Sequence, residues 1–365
     1  MKSNKYAKGF IPYILMLFLN SMTDLGHKIV IQNSVFKIYD GSEQIVLTAI
    51  INLFILLPYV GLFSPVGFIA DKYPKEKVMK ISSFFAVIVT FLIGFSYYFG
   101  CFWGAFALTL ILATQSAIYS PAKYGYIREL LGDSKTAIGN SWVQATTIIA
   151  ILGGTFLYSV LFESFLESYE TKSDILKQMV FIAFILFTSS IIEFYLSFKL
   201  PNRRETDQKK RFIFKKYIHG DYFRNSLNTI FREKEIFKAI ILIALFFGIS
   251  QVLLVIFGAF VKANLGETNT IIVQGLMALS GIGIVIGSFI AGKISKSSVE
   301  LGVVPIGFLG AFIFVGIMPF LNSATLFAID FLFFGIFGGF IIVPLSAFIQ
   351  LSSKLEKNGI CSGFK

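Results

Sequence analysis

Three ionisable side chains lie close together in the first apolar segment of the chain, where charges are costly. They occur in the stretch NSMTDLGHKIVIQNSVFK, which follows the apolar run FIPYILMLFL. At 100° per residue, one helix face carries Asn20, Asp24, His27 and Lys28, with Gln32 just beyond it. A charged group at the centre of a membrane helix costs about 2.5–3.5 kcal/mol, so such groups normally face a polar cavity and pair with one another.

This helix face could bind a polar group inside the bilayer. Asp24 and Lys28 are spaced i, i+4 and could form an ion pair on the helix itself. His27 could relay protons, because imidazole titrates near physiological pH, or it could be a structural hydrogen-bonding residue. A polar contact to another helix is the alternative for the whole face. We predict that all five residues contribute to a substrate-binding or translocation path.

The elements that carry these residues are predicted to be membrane helices. Of the 365 residues, 55% are hydrophobic and only 15% are charged, against about 25% charged in soluble domains. Apolar runs of about 20 residues each span a bilayer as a helix. The sequence therefore predicts an all-α integral membrane protein with ten spans, at 9–36, 44–70, 78–99, 102–120, 138–162, 179–199, 238–261, 271–293, 299–320 and 324–350.

Lys and Arg residues are distributed unevenly between the connectors. If the N-terminus is cytoplasmic, 27 of the 32 Lys and Arg residues fall on the cytoplasmic side, as the positive-inside rule requires. Both termini are therefore predicted to be cytoplasmic, and the net charge of +11 needs no nucleic-acid partner. The predicted parts are a six-helix half at 1–199, a basic cytoplasmic linker at 200–237, an incomplete second half at 238–350 and a polar tail at 351–365.

Short segments recur at a nearly constant spacing. GFIADK from Gly67 and SFIAGK from Ser288 are 221 residues apart, while Pro121 and Pro344 are 223 apart. The agreement predicts that helices 7–10 repeat helices 1–4. Parallel six-helix repeats are the architecture of major facilitator transporters. We therefore expect the major facilitator fold with ten of twelve spans, in a C-terminally truncated chain.

The connector after helix 2 contains a second group of candidate residues. GFIADKYPK resembles the major facilitator signature loop, G-x-[LF]-A-D-[RK]-x-G-[RK]-[RK]. Gly67 would allow close helix packing, and Asp71 would pair with a cation or a helix N-terminus when the cytoplasmic side is closed. Arg128 is either the partner of Asp71 or a solvated surface charge. The predicted cytoplasmic gate comprises Gly67, Asp71, Lys72, Lys75 and Arg128.

Longer segments resemble one branch of that superfamily. FLNSMTDLGHKIVIQNSVFK, LLPYVGLFSPVGFIADKYPK and QSAIYSPAKYGYIRELLG are similar to the lysophospholipid transporter family, which includes membrane domains fused to acyl-ACP synthetase/acyltransferase proteins. The resemblance implies a bacterial inner-membrane transporter that flips lysophospholipid, typically lyso-phosphatidylethanolamine, from the outer to the inner leaflet for reacylation. It also implies an acyltransferase or acyl-ACP synthetase partner. Asp24 and Lys28 would contact the zwitterionic headgroup.

Two other functions stay open at this point. A proton-coupled facilitator for a soluble solute or drug could use Asp24 or His27, although helix 4 lacks the arginine usual in drug/proton antiporters. An inactive truncated chain could instead serve as an anchor or scaffold for an acyltransferase. The sequence contains no P-loop, no H-x-x-x-x-D acyltransferase motif and no metal-ligand cluster. We therefore predict no enzymatic activity, no catalytic residues, no cofactor and no metal.

Overall fold

A computed structural model of the protein describes two compact units, Met1–Gly220 and Asp221–Lys365. The division falls within the predicted basic linker, most of which lies outside the described residues. The last residues of the predicted polar tail also lie outside them. The structure describes residues 7–132, 136–202, 217, 219–220, 224, 233–294 and 300–357.

The first unit contains eight α-helices in the described part of the chain. They are α1 (Ala7–Ile38), α2 (Gly41–Gly61), α3 (Phe63–Lys72), α4 (Lys75–Tyr98), α5 (Phe102–Leu131), α6 (Thr136–Phe165), α7 (Lys172–Gln178) and α8 (Val180–Ser197). Six of these, α1, α2, α4, α5, α6 and α8, are long and apolar enough to cross a membrane.

The second unit supplies four more spans. They are formed by α9 (Lys234–Leu265), α10 (Thr270–Ile294), α11 (Val303–Ile317) with the 3₁₀ turn that follows it (Met318–Phe320), and α12 (Ala324–Lys357). All regular structure among the described residues is helical. The predicted all-α fold with ten spans is thereby confirmed.

The predicted second span, 44–70, is not one continuous helix. It breaks at Leu62, whose φ of −96° and ψ of 6° separate α2 from α3. Proline lacks an N–H group, and its ring clashes with the carbonyl four residues earlier in a helix. Pro65 would meet the carbonyl of Gly61 in this way, so the chain bends between them. The shorter α3 then carries the signature loop.

The predicted fourth span, 102–120, is too short. Helix α5 continues through Pro121 to Leu131 and ends at Gly132, which has a φ of +79°. Loss of one backbone hydrogen bond at Pro121 is offset by packing, since Tyr119, Ala122 and Tyr126 are all buried beyond or beside it. The extra turns place side chains that were expected in a polar connector inside the first unit.

Helix α1 lies in the core of the first unit. It packs on α2, α5, α6 and α8, and its side chains belong to both hydrophobic clusters of that unit. At Gly26 an added methyl group would lie 2.6 Å from the ring of Tyr158. The glycine therefore allows α6 to approach the helix at the level of Asp24 and Lys28.

In the second unit, α10 and α12 approach each other through glycines. A methyl group added at Gly283 or Gly287 would overlap the backbone of α12, and one at Gly335 or Gly339 would overlap the backbone of α10. Each pair has the small-xxx-small spacing that lets membrane helices pack closely. This contact joins two of the four spans of the unit.

Candidate substrate-binding cavity

A cavity of about 340 Å³ opens within the first unit between α1, α2, α5 and α6. Its polar residues come mainly from α1 and α5, and they include Asn20, Asp24, Lys28, Ser116 and Lys123. The rest of the wall is largely apolar, with Leu25, Ile55, Leu112 and Ile151 among the lining side chains. One cavity therefore combines a carboxylate, two ammonium groups and a hydrocarbon surface.

Asp24 is held by α5 rather than by its own helix. The Ser116 hydroxyl donates a hydrogen bond to Oδ2 of Asp24, while Oδ1 is buried without a hydrogen-bond partner among the described residues. Lys123 interacts electrostatically with Asp24. Ser116 and Lys123 are seven residues apart, two turns along one helix face, so α5 presents both toward Asp24. One oxygen of the carboxylate therefore has unused hydrogen-bonding capacity.

Lys28 lines the same cavity but does not form the predicted ion pair with Asp24. Within the described part of the chain its ammonium group has neither an ion pair nor a hydrogen bond. The physical reason is that Asp24 is directed across the helix interface, where Ser116 and Lys123 stabilise it. Lys28 is left as a half-buried cation facing the cavity.

His27 lies outside the cavity lining, in the hydrophobic core between α1, α4 and α5. Its Nε2 is 3.0 Å from the carbonyl oxygen of Ala105 and its Nδ1 is 3.0 Å from the Tyr97 hydroxyl. A carbonyl only accepts hydrogen bonds, so Nε2 donates to it; when the ring is neutral, Nδ1 accepts from the Tyr97 hydroxyl. Both ring nitrogens are thus engaged in a neutral imidazole. This geometry favours the structural alternative for His27.

The other two α1 candidates differ in position. Asn20 lines the cavity and lies near Glu193 of α8. Gln32 is buried but is not among the lining residues. Glu193 is fully buried, accepts a hydrogen bond of 2.6 Å from Ser83, and interacts electrostatically with Lys123. A second buried carboxylate therefore lies next to the cavity wall at Asn20.

Lys123 and Ser116, the cavity residues that interact with Asp24, are among those that sequence reasoning missed. Lys123 was assigned to the cytoplasmic connector because helix 4 was expected to end at Pro121. The spacing of Ser116 and Lys123 places both on one face, and this signal is visible once α5 is extended past Pro121. Glu193 carried a weaker signal, as an ionisable group near the end of an apolar run.

The residues of the predicted gate are only partly brought together. Lys75 forms an ion pair with Glu129 of α5, whose side chain is 2% exposed. The stem of Lys75 lies on Gly125, where an added methyl group would be 2.5 Å from Cε. Glu129 is therefore a buried partner and not a solvated surface charge.

The other gate residues are at or near the surface. Asp71 and Arg128 are both exposed, and their pairing stays a prediction. Lys72 lies over the rings of Phe68 and Tyr73, at 5.3 and 5.7 Å. A methyl group added at Gly67 would meet no described atom within 4 Å. The packing role of Gly67, which was expected for the closed cytoplasmic side, stays a prediction.

Ten apolar helices among the described residues and a charged cavity inside one unit define a multi-pass α-helical membrane protein of the transporter type. The chain belongs to the Major Facilitator Superfamily, whose profile matches residues 11–364. Both the predicted superfamily and its fold are confirmed by this match.

Curated relatives resemble the chain over most of its length. It is 26% identical over 354 residues to the lysophospholipid transporter LplT of Klebsiella pneumoniae (strain 342), covering 96% of this chain and 82% of the relative. It is 29% identical over 320 residues to LplT of Enterobacter sp. (strain 638), covering 86% and 72%. The predicted branch of the superfamily agrees with these relatives.

Solved structures show the same fold at low identity. A bacterial homologue of the iron transporter ferroportin, in an inward-facing state, superposes with a TM-score of 0.66 at 14% identity, covering 99% of this chain and 88% of that chain. A bacterial homologue of the human lysosomal transporter Spinster, inward-facing and occupied, gives 0.63 at 14% identity, covering 99% and 80%.

Proposed function

We propose that this protein transports lysophospholipid across the bacterial inner membrane, with the cavity of the first unit as the headgroup site. The observation that carries the proposal is the ammonium group of Lys28, unpaired within the described part of the chain, beside the half-satisfied carboxylate of Asp24. A lyso-phosphatidylethanolamine headgroup has one phosphate and one ammonium group. Lys28 fits the phosphate and Asp24 fits the ammonium. The similarity to proteins named lysophospholipid transporters supports this substrate class.

The apolar part of the wall suits a lipid better than a soluble solute. Leu25, Ile55 and Leu112 lie beside the charged groups, so a single acyl chain can contact hydrocarbon while the headgroup contacts the charges. Burial of apolar surface stabilises such a complex by about 25 cal/mol per Å². The charge pairs fix the orientation of the headgroup, because a buried charge without an opposite charge beside it is costly.

The direction of lipid transport and the orientation of the protein in the membrane complete the proposal. The excess of Lys and Arg in the predicted cytoplasmic connectors supports cytoplasmic termini, and the ion pair of Lys75 with Glu129 would then lie on the cytoplasmic side. Lysophospholipid would enter from the outer leaflet and leave to the inner leaflet by alternating access. An acyltransferase or acyl-ACP synthetase partner would reacylate it there.

Uptake of labelled lyso-phosphatidylethanolamine by spheroplasts that lack their own transporter tests the proposal. We expect Asp24→Asn and Lys28→Gln each to reduce uptake about tenfold or more, since hydrogen bonds to charged groups contribute about 1.5–3 kcal/mol. Lys177→Gln is the matched control, because Lys177 is exposed at the end of α7 and lies outside the cavity lining. Size-exclusion profiles would confirm that all variants fold.

A second substrate separates the roles of the two charges. Lyso-phosphatidylglycerol has the phosphate but no ammonium group, so Asp24→Asn should impair its uptake much less than that of lyso-phosphatidylethanolamine. Lys28→Gln should impair both. Undiminished lipid uptake by folded Asp24→Asn and Lys28→Gln proteins would refute the headgroup assignment. Uptake of a soluble solute with no lipid movement would favour a solute facilitator instead.

A further inference from the structure

A second, larger cavity lies on a different face of α5 from the first. It is an open groove of about 480 Å³ between α3, α4 and α5. Gln115 lines the groove, while the next residue, Ser116, lines the substrate cavity, so α5 separates the two. The groove walls include the half-exposed side chains of Ile81, Phe85 and Ile111. Its surface is thus a hydrocarbon-lined channel on the side of the first unit.

The side chains of Ser82, Thr114 and Gln115 inside the groove already have hydrogen-bond partners. Gln115 Nε2 donates to Ser82 Oγ at 3.0 Å, and Ser82 Oγ in turn donates to the backbone carbonyl of Gln115 at 3.0 Å. Thr114 donates to the Leu110 carbonyl on its own helix at 2.8 Å. A polar solute would therefore find few groups to bind along the groove. A hydrocarbon chain would lose nothing there and would bury apolar surface.

One end of the groove carries a cation. Lys77 lines this end and is exposed, and its side chain has no ion pair or hydrogen bond within the described residues. Neighbouring lysines are engaged: Lys75 is paired with Glu129, and Lys80 lies 3.5 Å above the ring of Phe198. Lys77 is therefore the lysine at this end that is available to an anion.

The length of the groove matches one leaflet of a bilayer. It extends along α4 from Lys77 to Val89, which is about 18 Å at a rise of 1.5 Å per residue. The hydrocarbon core of a bilayer is about 30 Å thick, so the groove reaches past its middle from the end that carries Lys77. That length accommodates one acyl chain whose headgroup stays at the membrane surface.

We propose that this groove is a binding site for an anionic membrane phospholipid, with the phosphate at Lys77 and one acyl chain along α4 and α5. The lipid is distinct from the transported molecule, because α5 separates the two sites. The substrate cavity contains a carboxylate that suits a zwitterionic headgroup. Among the described residues that line the groove, Lys77 is the charged one, which favours a lipid with net negative charge.

Lipid-dependent thermal stability of the purified full chain tests this site. In detergent, phosphatidylglycerol and phosphatidylcholine with identical acyl chains are titrated, and the concentration giving half of the rise in denaturation midpoint is measured. We expect Lys77→Gln to raise this concentration about fivefold for phosphatidylglycerol, because one lysine near an anionic membrane surface contributes about 1 kcal/mol of binding free energy. The concentration for phosphatidylcholine should stay unchanged. Lys80→Gln is the matched control and should have little effect.

Groove-filling variants test the acyl-chain site. Ile111→Trp and Ile81→Trp place bulk in the groove at half-exposed positions and should abolish stabilisation by both lipids while leaving the lipid-free midpoint nearly unchanged. The proposal is overturned if Lys77→Gln and Lys80→Gln behave alike, or if both tryptophan variants retain full stabilisation. Neither measurement involves transport, so its failure would leave the lysophospholipid proposal standing, and the reverse also holds.

Discussion

The substitution Gly125→Ala is expected to destabilise the wild-type protein but to stabilise a Lys75→Ala variant. In the wild type, Gly125→Ala would place a methyl group 2.5 Å from Cε of Lys75 and 2.9 Å from Cδ. The flexible lysine would move rather than the helix, and its ion pair with Glu129 would break. The Glu129 side chain is only 2% exposed, so its carboxylate would be left buried without that partner.

The net effect of Gly125→Ala depends on two opposing free-energy changes. Loss of one partner of a buried ion pair costs about 3–5 kcal/mol, and replacing glycine by alanine inside a helix contributes about 1 kcal/mol. Taking the lower cost, because Lys75 is partly exposed, Gly125→Ala should destabilise the wild type by about 2 kcal/mol. In a Lys75→Ala background there is no clash and no pair to break. There, Gly125→Ala should stabilise the protein by about 1 kcal/mol.

Thermal denaturation of detergent-solubilised protein, followed by fluorescence size-exclusion chromatography, measures both effects. Folded units of this size shift by about 2–4 °C per kcal/mol, so we expect a fall of roughly 4–8 °C in the wild type and a rise of roughly 2–4 °C in the Lys75→Ala background. A fall of equal size in both backgrounds would refute the reasoning, because the cost would then come from helix packing and not from Lys75.

Two further predictions concern packing away from the cavity. Gly287→Ala should strongly lower the denaturation midpoint, because the added methyl group would overlap the backbone carbonyl of Ile336. Gly275→Ala on the same helix is the control: its methyl group would meet no described atom within 4 Å, so the midpoint should stay unchanged or rise. Equal effects of the two substitutions would contradict the close helix contact. Tyr97→Phe removes the donor to His27 and should cost about 1–3 kcal/mol for the unsatisfied buried nitrogen. The folded fraction should retain lysophospholipid uptake, and selective loss of uptake at unchanged stability would instead indicate a functional imidazole.

Hydropathy was enough to predict the spans because the bilayer sets a fixed length for an apolar helix. All ten spans and the superfamily followed from that rule and from the segment GFIADK, beginning at Gly67. The errors fall at prolines. Pro65 ends a helix that was expected to continue, while Pro121 lies inside a helix that was expected to end. A proline costs the same local hydrogen bond in both places, and the tertiary packing of the next turns decides whether the helix continues.

The sequence by itself determined that α1 carries costly polar groups within the bilayer, and therefore that these groups need partners. It could not determine the partners. Asp24 is held by Ser116, Lys28 has no partner among the described residues, and His27 is buried against Tyr97. Helical periodicity shows only that these side chains lie on the same face of α1. The tertiary structure, through the position of α5 against α1, decides which of them line a cavity and which are buried in the core.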